Sequence, residues 1–255
     1  MNRIREAISD LYKMDMEAGK TGWLQEIHPV SKLLVTVLFI LLTVSWGKYD
    51  LPGLLKMGSY LVVCFVLGDI SIKLLLKRMK LVLVVVCMVG IANPFFDREI
   101  MFKLGSLGVT GGMVSAVTLM IKGACAVSAS YLLMVTTSMD DLCYALRKLC
   151  VPKTIVTVLM LVYRYIIVLL KETERMTDAY MLRSPGQKGL HYKVWGTMVG
   201  QLLLRSMDRA QIVYDSMRLR GYCGEFHLRC KKAAQMGDYL YGLGWSVVLT
   251  VIRFI

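Results

Sequence analysis

Three groups of side chains have types and spacings that bear on chemistry. Cys223, His227 and Cys230 lie close together and offer soft metal ligands, but no second cysteine pair at zinc-finger spacing completes the set. Gly19-Lys20-Thr21 has the tail of a phosphate-binding loop, yet the pattern requires glycine where Met14 stands. No strand precedes it to aim backbone amides at a triphosphate. The third group is a near-repeat, Ala179-Tyr180-Met181-Leu182-Arg183-Ser184 and Ser216-Met217-Arg218-Leu219-Arg220-Gly221-Tyr222, each placing a Leu-Arg-small triplet at the end of a helical stretch. A helix macrodipole favours a terminal cation by about 0.3–1 kcal/mol, which suffices to explain one such end. Two ends in one basic region point instead to a pair of guanidinium prongs for acidic grooves on partner proteins, because the planar fork of arginine binds a carboxylate bidentately.

Other chemistry is missing its residues. There is no His-Glu-x-x-His, no Gly-x-Ser-x-Gly and no pair of carboxylates within an apolar segment, which removes the usual zinc proteases, α/β-hydrolases and proton- or ion-coupled carriers. The chain is expected to be non-catalytic, to bind no cofactor and to hold no metal. Lys122 is the conspicuous cation within an apolar run, at a cost of ~2.5–3.5 kcal/mol on insertion scales. Either it snorkels or is solvated in a helix crevice, or it faces and pairs with a partner subunit. Gly108-x-x-x-Gly112, at the start of the same run, has the spacing that lets another helix approach.

These residues need elements to hold them, and composition says which. Hydrophobic residues make up 56% of the 255 residues, about 59% with glycine counted in place of tyrosine, against roughly 45–50% in soluble domains. That excess places much of the chain in lipid. Apolar runs at 30–46, 51–68, 79–96 (broken by Asn93-Pro94), 109–135 and 239–255 predict five spans of hydrocarbon about 30 Å thick. Between 137 and 237 the apolar positions return at helical spacing among frequent charges, predicting amphipathic helices. One runs over 140–149 with Ser138 as its cap, one over 156–181 stopped by Ser184-Pro185-Gly186, and one over 191–220 closed by Gly221 in the left-handed conformation.

Charge then orients the spans. Lys plus Arg number 31 against 18 Asp plus Glu, a net charge of +13. The 69–80 loop, with Lys73, Lys77, Arg78 and Lys80 against one acid, is strongly basic, whereas the turns at 47–50 and 97–103 are neutral. By the positive-inside rule the N-terminus and the 69–80 loop are cytoplasmic and the C-terminus is outside. Residues 137–237, with 16 Lys and Arg against 8 Asp and Glu, then form a cytoplasmic domain. The organisation expected is a cytoplasmic N-terminal segment over 1–29, a four-span membrane domain over 30–136, a coupling domain over 137–237 and a final transmembrane helix over 238–255. The first 29 residues lack an apolar signal-peptide core. The seven cysteines are odd in number and scattered, so no disulfide framework is expected. Long apolar runs under a basic balance also exclude a soluble nucleic-acid binder.

The ordered set of motifs resembles the transmembrane T component of energy-coupling factor (ECF) importers, particularly the cobalt/nickel CbiQ type. It comprises His28-Pro29-Val30-Ser31-Lys32-Leu33 before the first span, Gly108-Val109-Thr110-Gly111-Gly112, Thr136-Thr137-Ser138, Leu149-Cys150-Val151-Pro152, Tyr163-Arg164-Tyr165, the two arginine ends, and Arg220-Gly221-Tyr222-Cys223-Gly224-Glu225. The resemblance implies an L-shaped, all-α subunit of the cell (cytoplasmic) membrane whose coupling helices sit on two ABC-type ATPases. ATP is hydrolysed by those ATPases and not by this chain, and a small-substrate-binding membrane S subunit, CbiM-like if the cargo is cobalt, captures the substrate. Carried over, Arg183 and Arg220 are the coupling arginines, with Ser184 and Gly221 allowing close backbone approach, and Lys122 is a candidate S-subunit contact. Leu182 and Leu219 stand where the family often has alanine, and Ser184 where glycine is commoner. The rival readings are a T subunit for a vitamin such as biotin, a stand-alone secondary carrier, and a membrane enzyme for which no nucleophile, base or metal set can be named.

Overall fold

The computed structural model describes residues 22–47, 50–68, 100–104, 107–184, 191–224, 226 and 236–254, with a few isolated positions among the rest, including Arg5, Tyr12, Leu75 and Met79. The 19–21 triplet, most of the 69–80 loop, most of the third expected span, Pro185-Gly186, His227 and Cys230 lie outside the described residues. The elements in chain order are α1 (Trp23–Glu26), α2 (Pro29–Ser45), α3 (Leu51–Leu67), β1 (Ile100–Leu104), β2 (Leu107–Thr110), α4 (Gly111–Thr136), α5 (Met139–Lys148), α6 (Lys153–Arg183), α7 (Tyr192–Leu219) and α8 (Met236–Phe254). The chain divides into two compact units, one of residues 17–138 and 231–255 and one of residues 1–16 and 139–230.

In the first unit α2 packs on α4 and α8, and α3 on α4 and α8. His28 caps α2: its Nδ1 accepts the Val30 N–H at 3.4 Å, with Pro29 in the first turn, where its missing N–H costs nothing. Val35, Phe39, Met57, Tyr60, Leu132 and Leu249 form the core, with the Tyr60 ring 5.0 Å from Phe39 and 4.7 Å from Trp245. Four hydroxyls are tolerated in this apolar interior because each bonds back to its own helix. Thr36 donates to Lys32 O, Thr43 to Phe39 O, Ser128 to Ala124 O and Thr136 to Leu132 O, all at 2.7–2.9 Å.

Two polar belts bound this core. At one end Lys32, only 4% exposed, donates to Gln25 O at 3.2 Å and Thr136 O at 2.9 Å, while Asp238 accepts the His28 N–H at 3.0 Å. At the other end Lys122 donates to Val44 O at 3.2 Å and Trp46 O at 2.6 Å, and Arg253 donates to Ser45 O at 3.1 Å with its guanidinium 4.5 Å from the Trp46 ring. The belts show α2 parallel to α8 and antiparallel to α4. Counted along α2, α4 or α8, they are about 20–22 Å apart at ~1.5 Å per residue, somewhat thinner than a hydrocarbon layer of about 30 Å. Lys122 therefore sits level with the end of α2 rather than at mid-depth, and it satisfies carbonyls that a helix C-terminus leaves without partners.

The fourth span begins later than its apolar run suggests. β1 and β2 pair antiparallel, Phe102 with Val109 and Leu104 with Leu107, and α4 starts only at Gly111. Apart from this short strand pair and the connecting turns, the described residues are helical, in line with the all-α expectation. Gly108 lies on a strand and Gly112 on a helix, so they share no helix face and the small-residue reading of that pair falls. A short uncharged run cannot by itself distinguish strand from helix.

The second unit is built on α5, α6 and α7. Asp140 and Asp141 lie in the first turn of α5 and Arg147 and Lys148 in its last, as the macrodipole favours. α5 buries Cys143 and Ala145 and packs on α6. Arg5 of the N-terminal segment pairs with Glu174 at 2.5 Å and Asp178 at 3.8 Å on α6, so this segment is tied to the helical unit. Among the described residues two helices, Val114–Thr136 and α6, are long and apolar enough to cross a membrane. Val162 and Ile166, two of the apolar positions read at helical spacing, lie with Ile155 and Val158 on an exposed apolar stripe of the first half of α6.

Candidate functional site

α6 and α7 are antiparallel neighbours. Glu172 of α6 pairs with Arg205 of α7, while Leu161 and Arg164 share a cavity with Val213, Met217 and Arg220. Their C-terminal ends therefore point in opposite directions. Arg220 lies beside Arg164, and Arg183 lies farther along α6 by about 28 Å at ~1.5 Å per residue.

The two ends close differently. α7 finishes in a full Schellman motif: Gly221 has φ +80°, its N–H reaches Arg218 O at 3.0 Å, and the Tyr222 N–H reaches Met217 O at 3.0 Å. No atom lies within 4 Å of a Cβ placed on Gly221, so the backbone angle and not crowding calls for glycine. At the end of α6 the C-cap Ser184 has φ −127°, and its N–H bonds Tyr180 O at 3.1 Å and Met181 O at 3.3 Å. Arg183 is thus the last helical residue of α6, whereas Arg220 is the C-cap beyond α7. Both guanidinium-bearing residues are exposed, and the leucines before them project almost fully into solvent, Leu182 at 84% and Leu219 at 89%. Among the described residues neither arginine is in an ion pair.

The structure brings Arg220, Gly221 and Arg164 together and keeps Arg183 and Ser184 apart from them. Lys122 belongs to the other unit, where its hydrogen bonds are made within the chain. Cys223 donates to Gly221 O at 3.4 Å. Among the described residues no group of three or more His, Cys, Asp and Glu side chains could hold a metal. Sequence reasoning quoted Lys32 only as part of the motif before the first span and missed two further charged residues of the belts, Asp238 and Arg253. Lys32 and Arg253 were visible as lone cations inside apolar runs, but their acceptors are carbonyls, which no residue type reveals.

Comparison with known proteins agrees with this architecture. The family model for the cobalt transport protein CbiQ matches residues 20–229. An uncharacterised protein of Methanocaldococcus jannaschii, MJ1571, is 25% identical over 242 residues, covering 91% of this chain and 82% of that protein. A second from the same organism, MJ1089, is 36% identical over 104 residues, 40% of this chain and 38% of that one. With the family match spanning most of its length, the chain belongs to the CbiQ family of cobalt transport proteins, membrane-integral transport components.

Proposed function

We propose that this chain is the T component of an ECF-type ABC importer, carrying conformational change from two ABC-type ATPases to a membrane S subunit that binds the cargo. The observation that carries the reading is the pair of exposed Leu-Arg tips, Leu182-Arg183 and Leu219-Arg220, at opposite ends of one antiparallel helix pair. Arginine is enriched at protein-docking hot spots, and an exposed leucine beside it adds apolar area that a partner can bury. Tips about 28 Å apart suit two partner grooves better than one. ATP binding would draw the two ATPases together, shift α6 against α7, and pass that motion on through Thr137 and Ser138, which join α4 to α5. The arginines would position the partners, and nucleotide chemistry would occur on the ATPases. The family's description supports cobalt as cargo, with nickel or a vitamin as alternatives set by the S subunit.

The test is the double variant Arg183→Glu/Arg220→Glu, purified with its partner subunits and reconstituted in vesicles. Loss of ATPase co-purification and of ATP-driven metal uptake is expected. Wild-type association and uptake in that variant would overturn the reading.

A further inference from the structure

Arg220 is not alone at its end of the helix pair. It and Arg164 line one cavity of about 410 Å³, walled by Leu161, Tyr165, Met217 and Tyr222. That volume is in the range of small ligand sites, ~300–1,000 Å³. Among the described residues no acid pairs with either guanidinium. Two like charges around one small space repel each other until an anion enters. The site is also held in place before any ligand arrives. The Schellman bonds set the backbone at Arg220, the Tyr222 ring lies 5.1 Å from Phe226, and Arg147 of α5 donates to Phe226 O.

The cavity opens along the helices rather than standing alone. Leu161, Tyr165, Val213 and Met217 also line a second groove of about 410 Å³ that runs between α6 and α7 past Val158 and Ala210 and is almost wholly apolar. α7 has no buried residue along its length, so among the described residues no third element covers the seam between the two helices. A helix laid in such a seam buries an apolar face at every third or fourth residue.

We propose that this seam receives an amphipathic helix of a partner subunit, apolar along the α6/α7 groove and carrying an Asp or Glu carboxylate that lodges between Arg164 and Arg220. The coupling arginine of α7 is then one half of a two-guanidinium clamp, and Arg164 is the other. The identity of the partner as an ATPase rests on the coupling function proposed above. Two guanidinium forks suit a carboxylate, and the open apolar seam suits a helix.

The test uses the full complex in detergent, with ATPase affinity measured for Arg164→Ala, Arg164→Lys, Arg183→Ala, Arg220→Ala, the Arg164→Ala/Arg220→Ala pair and the seam-filling Ala210→Trp. Arg164→Ala and Arg220→Ala should each weaken binding at least tenfold. The pair should be little worse than either, because both arms hold one carboxylate. Arg164→Lys should recover only part of the loss and Ala210→Trp should also weaken binding. Wild-type affinity in Arg164→Ala alongside a loss in Arg220→Ala would overturn the clamp and leave the coupling function standing. Wild-type affinity in both Arg220→Ala and Arg183→Ala would overturn both. If Arg164→Ala loses only its binding to phosphatidylglycerol vesicles, the seam is a lipid site and the proposal fails.

Discussion

Cys150 carries φ 64° at the end of α5, the conformation that glycine adopts at the end of α7. The bonds are the same type: the Val151 N–H reaches Leu146 O at 3.2 Å across Cys150, as the Tyr222 N–H reaches Met217 O across Gly221. A side chain in that region costs of order 1 kcal/mol or more, and Cys150 is exposed, so nothing packs against it to compensate. Cys150→Gly is expected to stabilise the protein by about 0.5–1 kcal/mol, read as a higher unfolding temperature in detergent; an unchanged or lower temperature would contradict that account. Pro152 two residues on starts α6, so this turn sets where α6 leaves α5. The Leu-Cys-Val-Pro string showed a break between helices, but the left-handed angle at a cysteine was not legible, because residue type favours glycine or asparagine there.

At the scale of elements, the C-terminus of α2 is closed by side chains from two other helices. Lys122 of α4 and Arg253 of α8 bond the carbonyls of residues 44–46. The Trp46 ring that Arg253 covers lies against Gly53 of α3, where any Cβ would meet ring carbons at 2.2–2.8 Å. Lys122→Met removes a charged donor from two carbonyls and should cost about 1.5–3 kcal/mol, and Arg253→Met about 1 kcal/mol. Thermal unfolding of each variant measures this, with ATPase affinity expected at the wild-type level. Full stability combined with loss of S-subunit binding in Lys122→Met would instead assign that lysine to the partner. The sequence marked Lys122 as expensive without showing where its acceptors are, since Trp46 is remote along the chain. It also placed residues 109 and 110 at the start of a span, where they end a strand, because an uncharged run carries no period that separates strand from helix over so few residues.

For the whole molecule, the distance between the arginines matters as much as their identity. A four-residue alanine insertion in α6 after Asp178 would move Arg183 by about 6 Å and turn it by about 40° while leaving Arg220 and Arg164 in place. ATPase association through the α7 end should persist and uptake should fall at least tenfold; undiminished uptake would show that the spacing carries no function. The sequence by itself determined the helical character of most of the chain, the ends of the two long helices and the arginines on them. Those follow from local rules: apolar periodicity, glycine and proline at boundaries, and cations at helix C-termini. Only the tertiary structure decided that α6 and α7 are antiparallel, with their arginines at opposite ends and Arg164 beside Arg220, and that Lys32 and Lys122 are satisfied by carbonyls across the bundle. Such pairings join residues far apart in the chain, and their partners are backbone atoms common to every residue, so the order of amino acids does not announce them.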